Sequence, residues 1–307
     1  MYHFGLKPSY RFALVSKEMD ASTSTPEPSI EEQRNAVEAA FINAANPDGP
    51  QTKRRLHSIG SESVPRRQGA LRIYSHNVNG IERDNYPSRV ATLADRLDVL
   101  LPHVVCLQEM TDDFFHILAG HRIMEQYRVV KERDFGTAPC AYYTISFVNE
   151  DAASVVSAET LRLPSAFRRR ALLLHLRLHP PFEACILTIA NVHLESGQGA
   201  QGTFTRGRQL DALMTYAAGN EHSAIVFVVG DTNLRNSAEL PPHADVQFHE
   251  AESPSTYRRQ RYDRVFRLVR SPVPDHSLAT AELVAFTDPA TAQISDHLAL
   301  ICDVDAQ

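Results

Sequence analysis

From Leu71 onward the chain alternates short apolar runs with amphipathic stretches. LRIYSHNVN reads as a strand whose apolar part is spent by Asn77. Val90, Leu93, Leu97 and Leu100 recur at helical spacing, and the VVCLQE that follows is a short, continuously apolar strand. Phe114, Ile117 and Leu118 predict a second helix. AYYTISFVN, ALLLHLRL and ACILTIANVHL come next with β character and little helix between them, which favours antiparallel neighbours over repeated βαβ units. TRGRQLDALMTYAAG returns to the helical period, with Leu210, Leu213, Met214 and Ala217 on one face and Gly219 as a stop. SAIVFVVG, RYDRVFRLV and LALICDV complete the strands. Many strands, few helices and no internal repeat predict an α+β fold. The expected form is two packed, mostly antiparallel sheets flanked by helices, a four-layer αββα sandwich.

Residues 1–68 follow another pattern. Lys7, Pro8 and Arg11 interrupt the first apolar stretch, so no signal peptide is expected. ASTSTPEPS at 21–29 is a linker composition. Ser29 and Glu32 form a capping box ahead of Val37, Ala40, Phe41 and Ala44, which predicts a short helix near 30–45. The division expected is a largely disordered, non-catalytic region over 1–68 and a catalytic domain over 69–307. Lys53, Arg54 and Arg55, with Arg66 and Arg67, are two small basic patches, read as nuclear-import signals or as solvated linker charge.

Composition narrows the partners. With 43% hydrophobic and 22% charged residues the chain is an ordinary globular one, and no run approaches the ~18 apolar residues of a membrane span. The formal charge of −6 means that nucleic acid must be met by a local patch rather than by the whole-molecule field. The candidates are Arg168–Arg170, Arg206 with Arg208, and Arg258, Arg259, Arg261 and Arg264. Cys106, Cys140, Cys185 and Cys302 lie in or beside apolar strands without metal spacing, as expected of free thiols in a reducing, intracellular compartment.

Chemistry gathers where the strands end. SAIVFVVG runs into Asp231 and Asn233, VVCLQEM delivers Glu109, ILTIANVHLES delivers His193, Glu195 and Ser196, and ISDHLAL carries Asp296 and His297. Side chains leave the packed interior at strand termini, and ligand-binding groups collect there. Singly, each has a structural explanation: Asn77 a turn residue, Glu109 a helix-start charge, Asp231 to Asn233 an N-cap. Those explanations do not require Asn77, Glu109, His193, Ser196, Asp231, Asn233, Asp263, Asp296 and His297 all to sit at strand ends. Their conjunction points to a metal-assisted hydrolase of phosphate esters. Gly197, Gly199 and Gly202 satisfy GxGxxG, but Glu221 lies before the next strand, where it cannot reach a ribose; a flexible loop bordering the site is the expectation. His193-Leu-Glu195 lacks the CxxC of a zinc deaminase.

In order, SHNVNG, LQEM, VHLES, GDTNLR, RYDRVF and SDH resemble the endonuclease/exonuclease/phosphatase superfamily, over roughly residues 70–305. VHLES with GDTNLR is most similar to its branch that frees a DNA 5′ phosphate from tyrosine. The resemblance implies the four-layer sandwich and Mg²⁺ at the strand ends, with Mn²⁺ as a substitute. The implied substrate is a DNA 5′ end, single-stranded or frayed, linked to a tyrosyl peptide, and the implied location is the nucleus. Glu109 is then the first metal ligand, and Asp296 a second candidate for a ligand or for orienting one. Asp231 positions and deprotonates the attacking water, while Asn77 and Asn233 hold that water or the phosphate. His297 donates to a non-bridging oxygen, its imidazole fixed by Asp263. His193 and Ser196 match substrate-contact positions, Arg170 and Arg235 are expected on phosphates, and Tyr257 can stack on a base or sugar. Three positions depart from the family pattern: His76, Tyr257 and Leu298 stand where tryptophan is usual, and the chain has none. The alternatives are another phosphoesterase of the superfamily (abasic-site or 3′-end nuclease, deadenylase, sphingomyelin or inositol phosphate hydrolase) and a catalytically silent nucleic-acid-binding module.

Overall fold

A computed structural model describes residues 18–19, 69–136, 141–182, 186–235, 243–272 and 277–305. The helix expected near 30–45 lies outside them, as do the rest of residues 1–68 apart from a two-residue strand, β1 (Glu18–Met19). Also outside are Cys140 and Cys185; Cys106 and Cys302 are buried free thiols, both pushed up to about 12 by burial.

The strands form two sheets. One runs in the order β1, β6 (Ala153–Arg162), β7 (Arg170–Leu178), β8 (Ile186–His193), β9 (Ile225–Asp231), β11 (Asp263–Arg270) and β10 (Val246–Glu250). The other runs β12 (Glu282–Asp288), β13 (Ala299–Asp305), β2 (Leu71–Asn77), β3 (Val104–Met110), β5 (Tyr143–Asn149) and β4 (Tyr127–Lys131). Parallel pairing is confined to β1 with β6, β8 with β9, and β2 with β3; the remaining neighbours are antiparallel. Strand side chains alternate between faces. Leu71 and Ile73, Val104 and Cys106, Leu187 and Ile189, and Ile225, Phe227 and Val229 point into one buried core between the sheets. The alternate residues face outward under helices. Tyr74, Val105 and Leu107 lie beneath α1 (Tyr86–Leu100) and α2 (Asp112–Ala119), while Ala190, Val192, Val226 and Val228 lie beneath α3 (Gly199–Gly219). The result is four layers, αββα. A last short helix, α4 (Ser277–Thr280), follows β11.

Two amides stitch the sheets together. Gln108 on β3 donates to Asn191 on β8 at 2.8 Å, and Asn191 donates to the Ile145 carbonyl at 2.9 Å and the Ser146 hydroxyl at 3.1 Å. Beside this seam β8 and β9 approach closely enough that one position admits no side chain. Gly230 has φ 142°, and a Cβ there would lie 2.1 Å from the Val192 carbonyl oxygen. Gly230→Ala is therefore expected to destabilise the protein by about 3 kcal/mol, read as a lowered urea midpoint.

One expectation changes. The Gly197–Gly202 stretch is not all loop, because α3 begins at Gly199. Gly202 packs so tightly on Gly197 that a Cβ would fall 1.8 Å from the Gly197 oxygen, and Arg206 donates back to the Glu195 and Gly197 carbonyls at 3.1 and 2.8 Å. The glycines serve this close backbone approach.

Candidate active site

The odd-numbered, core-facing row of β9 runs Ile225, Phe227, Val229 and then Asp231, so the first polar side chain lies where the apolar filling stops. Its neighbours do the same: Asp231 pairs in register with His193 on β8 and with Asp263 on β11. Three strand ends of one sheet thus place His193, Asp231 and Asp263 side by side. The facing sheet supplies Asn77 by the same parity on β2. Glu109 arrives differently. On β3 the even positions face the core, and the ladder slips between Leu107 and Met110, with Glu109 in left-handed backbone at φ 56°. That bulge re-aims Glu109 toward Asn77.

The Asn77 amide joins the two sheets' carboxylates. Its oxygen accepts the Asn79 N–H at 3.0 Å, which turns its NH₂ toward Glu109 Oε1 at 2.9 Å and Asp231 Oδ2 at 3.0 Å. Asp231 Oδ1 accepts the Asn233 N–H at 3.0 Å, and the Asn233 side chain donates to the Leu194 carbonyl at 3.2 Å. Asn233, at φ 51°, therefore braces the Asp231 loop. Burial raises the pKa of both Glu109 and Asp231; hydrogen bonds from Asn77 and the charge of His297 oppose it.

His297 stands just before β13, and its Nδ1 bonds Asp263 Oδ2 at 2.8 Å across the sheets. Its Nε2 lies 4.0 Å from Asp231 Oδ2. Burial works against its charge, but Asp263, then Asp231 and Asp296, push it up to about 10. Burial would likewise raise Asp263, yet the His297 charge and hydrogen bond hold its carboxyl below the usual range. The pair is thus a buried imidazolium on a carboxylate at neutral pH. Beneath it His76 bonds the His297 carbonyl through Nε2 at 3.1 Å, and burial brings its imidazole down to about 4, so it is neutral.

His193 has the opposite character. Burial and the charges of Arg169 and His297 hold its pKa well below the usual value. Arg169 Nη1 approaches His193 Nδ1 at 3.1 Å, and a guanidinium only donates, so Nδ1 accepts and the proton sits on Nε2. That N–H faces Asp231 Oδ2 at 3.6 Å and Glu109 Oε1 at 3.8 Å. Among the described residues, Glu109, His193 and Asp231 bring ligand atoms within 4.8 Å of one another. A hard divalent cation such as Mg²⁺ takes oxygen, and the carboxylates of half-buried Glu109 and buried Asp231, both with raised pKa values, gain from it. The Glu109 and Asp231 oxygens fit such an ion; the protonated nitrogen of His193 is a donor beside it.

Asn77, Glu109, His193, Asp231, Asp263 and His297 therefore meet, with the Tyr257 ring 4.7 Å from that of His297. Asp296 is exposed and accepts from Asn79 at 3.3 Å, outside the three-residue ligand group. Ser196 and Arg235 are exposed, and Arg170 donates to Thr160 at 3.4 Å on β6. The arginine that reaches the site is Arg169, buried, with its guanidinium over Tyr142 at 5.3 Å. Neither it nor Tyr142 stood out as a strand end. Tyr142 directly precedes β5 and Arg169 directly precedes β7, after a left-handed turn of the chain at Arg168 (φ 57°).

The Endonuclease/Exonuclease/phosphatase family is matched by residues 74–297. Tyrosyl-DNA phosphodiesterase 2 of Xenopus laevis is 24% identical over 212 residues, which cover 68% of this chain and 54% of that protein. The chain thus spans about half the length of the curated relatives it matches. A crystal structure of D. rerio TDP2 complexed with single strand DNA product superposes with a TM-score of 0.60 at 22% identity, over 76% of this chain and 98% of that one. The human Nocturnin catalytic domain with bound sulfate anion does so at 0.57 and 17%, over 78% and 95%. These likenesses show the sandwich fold.

Proposed function

The chain belongs to the endonuclease/exonuclease/phosphatase family, and from that premise we propose that it is a Mg²⁺-dependent phosphodiesterase that hydrolyses 5′-phosphotyrosyl DNA bonds. One observation supports this above the others: the imidazolium of His297 on Asp263 faces the Asp231 carboxylate, with Glu109 tied to the same amide. A phosphodiester resists attack because its own charge repels nucleophiles, so the site must neutralise oxygens and deprotonate water at once. Asp231, its pKa raised by burial, is the base that takes the water's proton. His297 Nε2 and the His193 Nε2–H donate to phosphate oxygens, and Asn77 holds Asp231 and Glu109 in place. Glu109 would hold the cation, with Asp231 beside it; Mg²⁺ when bound offsets charge on the phosphate oxygens. Tyrosine leaves as a phenolate of pKa near ~10, several units below a sugar hydroxyl, and needs correspondingly less protonation. Tyr257 would stack on the adjoining nucleotide. Such a substrate sets the enzyme's work in the nucleus. No helix among the described residues is long and apolar enough to cross a membrane.

The test is a substrate panel. With Mg²⁺, the purified protein is expected to release tyrosine from a 5′-phosphotyrosyl oligonucleotide and leave a 5′ phosphate. EDTA or Glu109→Gln should each lower the rate by about 10². Turnover only of abasic duplex, RNA or sphingomyelin would move the protein elsewhere in the family.

A further inference from the structure

The arginine-rich run after Tyr257 sorts into two pairs. Arg264 is buried, with Nε donating to the Arg261 carbonyl at 2.9 Å, and Arg261 Nη2 bonds Glu250 Oε1 at 2.6 Å, an oxygen that Arg264 also meets. Those two arginines belong to the scaffold. Arg258 and Arg259 are exposed. They are the central residues of a two-residue hairpin loop closed by Tyr257 and Gln260, with Tyr257 N–H bonding the Gln260 oxygen at 3.1 Å. Both have positive φ, 40° and 69°, the signature of a type I′ turn. Asn-Gly takes that turn without steric conflict, whereas two β-carbon residues resist it.

The loop is also bolted to the reacting groups. Thr256 gives its carbonyl to the Leu298 N–H at 2.8 Å, next to His297, and its hydroxyl accepts the Asp263 N–H at 3.2 Å. The Tyr262 carbonyl accepts the Thr232 N–H at 2.8 Å, beside Asp231. The Tyr257 ring is 4.7 Å from that of His297 and 5.6 Å from that of Tyr262, and the Arg258 guanidinium sits over it at 5.1 Å. The Arg258 guanidinium is thus one aromatic ring from the imidazolium, with exposed Arg259 beside it on the same short lip, on a protein whose net charge of −6 would otherwise repel a polyanion.

We propose that the Arg258–Arg259 turn is a clamp for the sugar–phosphate backbone of the strand attached to the scissile phosphate. The clamp fixes the strand's path, while Tyr257 stacks beneath it. It rests on the phosphodiesterase activity proposed above and adds the groups that favour a substrate carrying a strand over an isolated phosphodiester.

The variant R258N/R259G keeps the hairpin and relaxes its backbone, so it is expected to fold with an equal or higher Tm. Its kcat/KM on a 5′-phosphotyrosyl oligonucleotide should fall about tenfold, through KM, relative to its kcat/KM on bis(p-nitrophenyl) phosphate, which has no strand. The slope of log(kcat/KM) against log salt should flatten by about 1.4, two single-strand phosphate contacts at roughly 0.7 each. Equal losses on both substrates, or no loss on the oligonucleotide, would overturn the clamp. Fluorescence anisotropy of a labelled single strand in EDTA scores it separately from turnover. Wild type should bind about tenfold more tightly than the variant, and equal binding would refute the clamp. If neither substrate is turned over while that difference persists, the clamp stands and the catalytic assignment fails.

Discussion

Asp231→Asn is expected to lower kcat on a 5′-phosphotyrosyl oligonucleotide by about 10³ while KM changes little. The substitution preserves shape, and the side-chain oxygen can still accept the Asn233 N–H, so the loop after β9 keeps its brace. What is lost is a group able to accept a proton at the point where His297, His193 and Asn77 converge. Stability is subject to two opposed effects. Burial raises the Asp231 pKa, so at neutral pH its ionised form is disfavoured by folding, and the wild type gains stability as pH falls through the raised value. The amide removes that penalty, but its NH₂ then faces the donors of Asn77, His193 and His297, so Tm is expected to change little or fall. A variant that keeps more than about a tenth of kcat would remove Asp231 from the role of base.

Asp263→Asn is expected to cost a similar factor, on the order of 10³, by a different route. The Asp263 carboxylate fixes the His297 imidazole and is the chief group pushing it up to about 10. With an amide in its place His297 titrates lower, so the alkaline limb of the pH–rate profile should move down from near 10. His297, raised on folding, contributes stability in full below its unfolded value near ~6.5 and loses it as pH rises through about 10. Asp263, depressed on folding, contributes above the usual carboxylate range and loses that as pH falls through its folded value. The variant should accordingly be less stable at neutral pH, by roughly 3 kcal/mol for a broken buried pair. The difference should shrink above pH 10. An unmoved alkaline limb would mean that the limb belongs to another group.

Much of this architecture is legible in the pattern of side chains. The apolar runs within ILTIANVH and SAIVFVVG read as buried strands, and their polar ends became His193 and Asp231 because register and parity are fixed by the apolar rows behind them. Strands β4, β6, β10 and β12 were not legible. β4 and β10 are only five residues each, β6 mixes Ser157 and Glu159 into its run, and β12 is a half-exposed edge with little apolar signal. Glu109 was found by its place at a strand end, but its orientation depends on a bulge that no periodicity announces. Arg169 was visible only as part of the Arg168–Arg170 basic patch, and its place at the site was hidden for the same reason. It stands outside the regular strand, and only the backbone turn at Arg168 sends it, rather than Arg170, to His193. Sequence distinguishes neighbours poorly where the chain leaves regular geometry, and site groups collect in those places.

Asn77 and Glu109 stand on one sheet and His193, Asp231 and Asp263 on the other. The spacing between the two halves is therefore set by the apolar filling of Ile73, Cys106, Ile189 and Val229, which acts as a ruler for the chemistry. A methylene added or removed there changes the gap that the Asn77 amide must span, so interior volume and reaction geometry are inherited together. Selection on the rate would then be felt as selection on hydrocarbon far from any reacting atom.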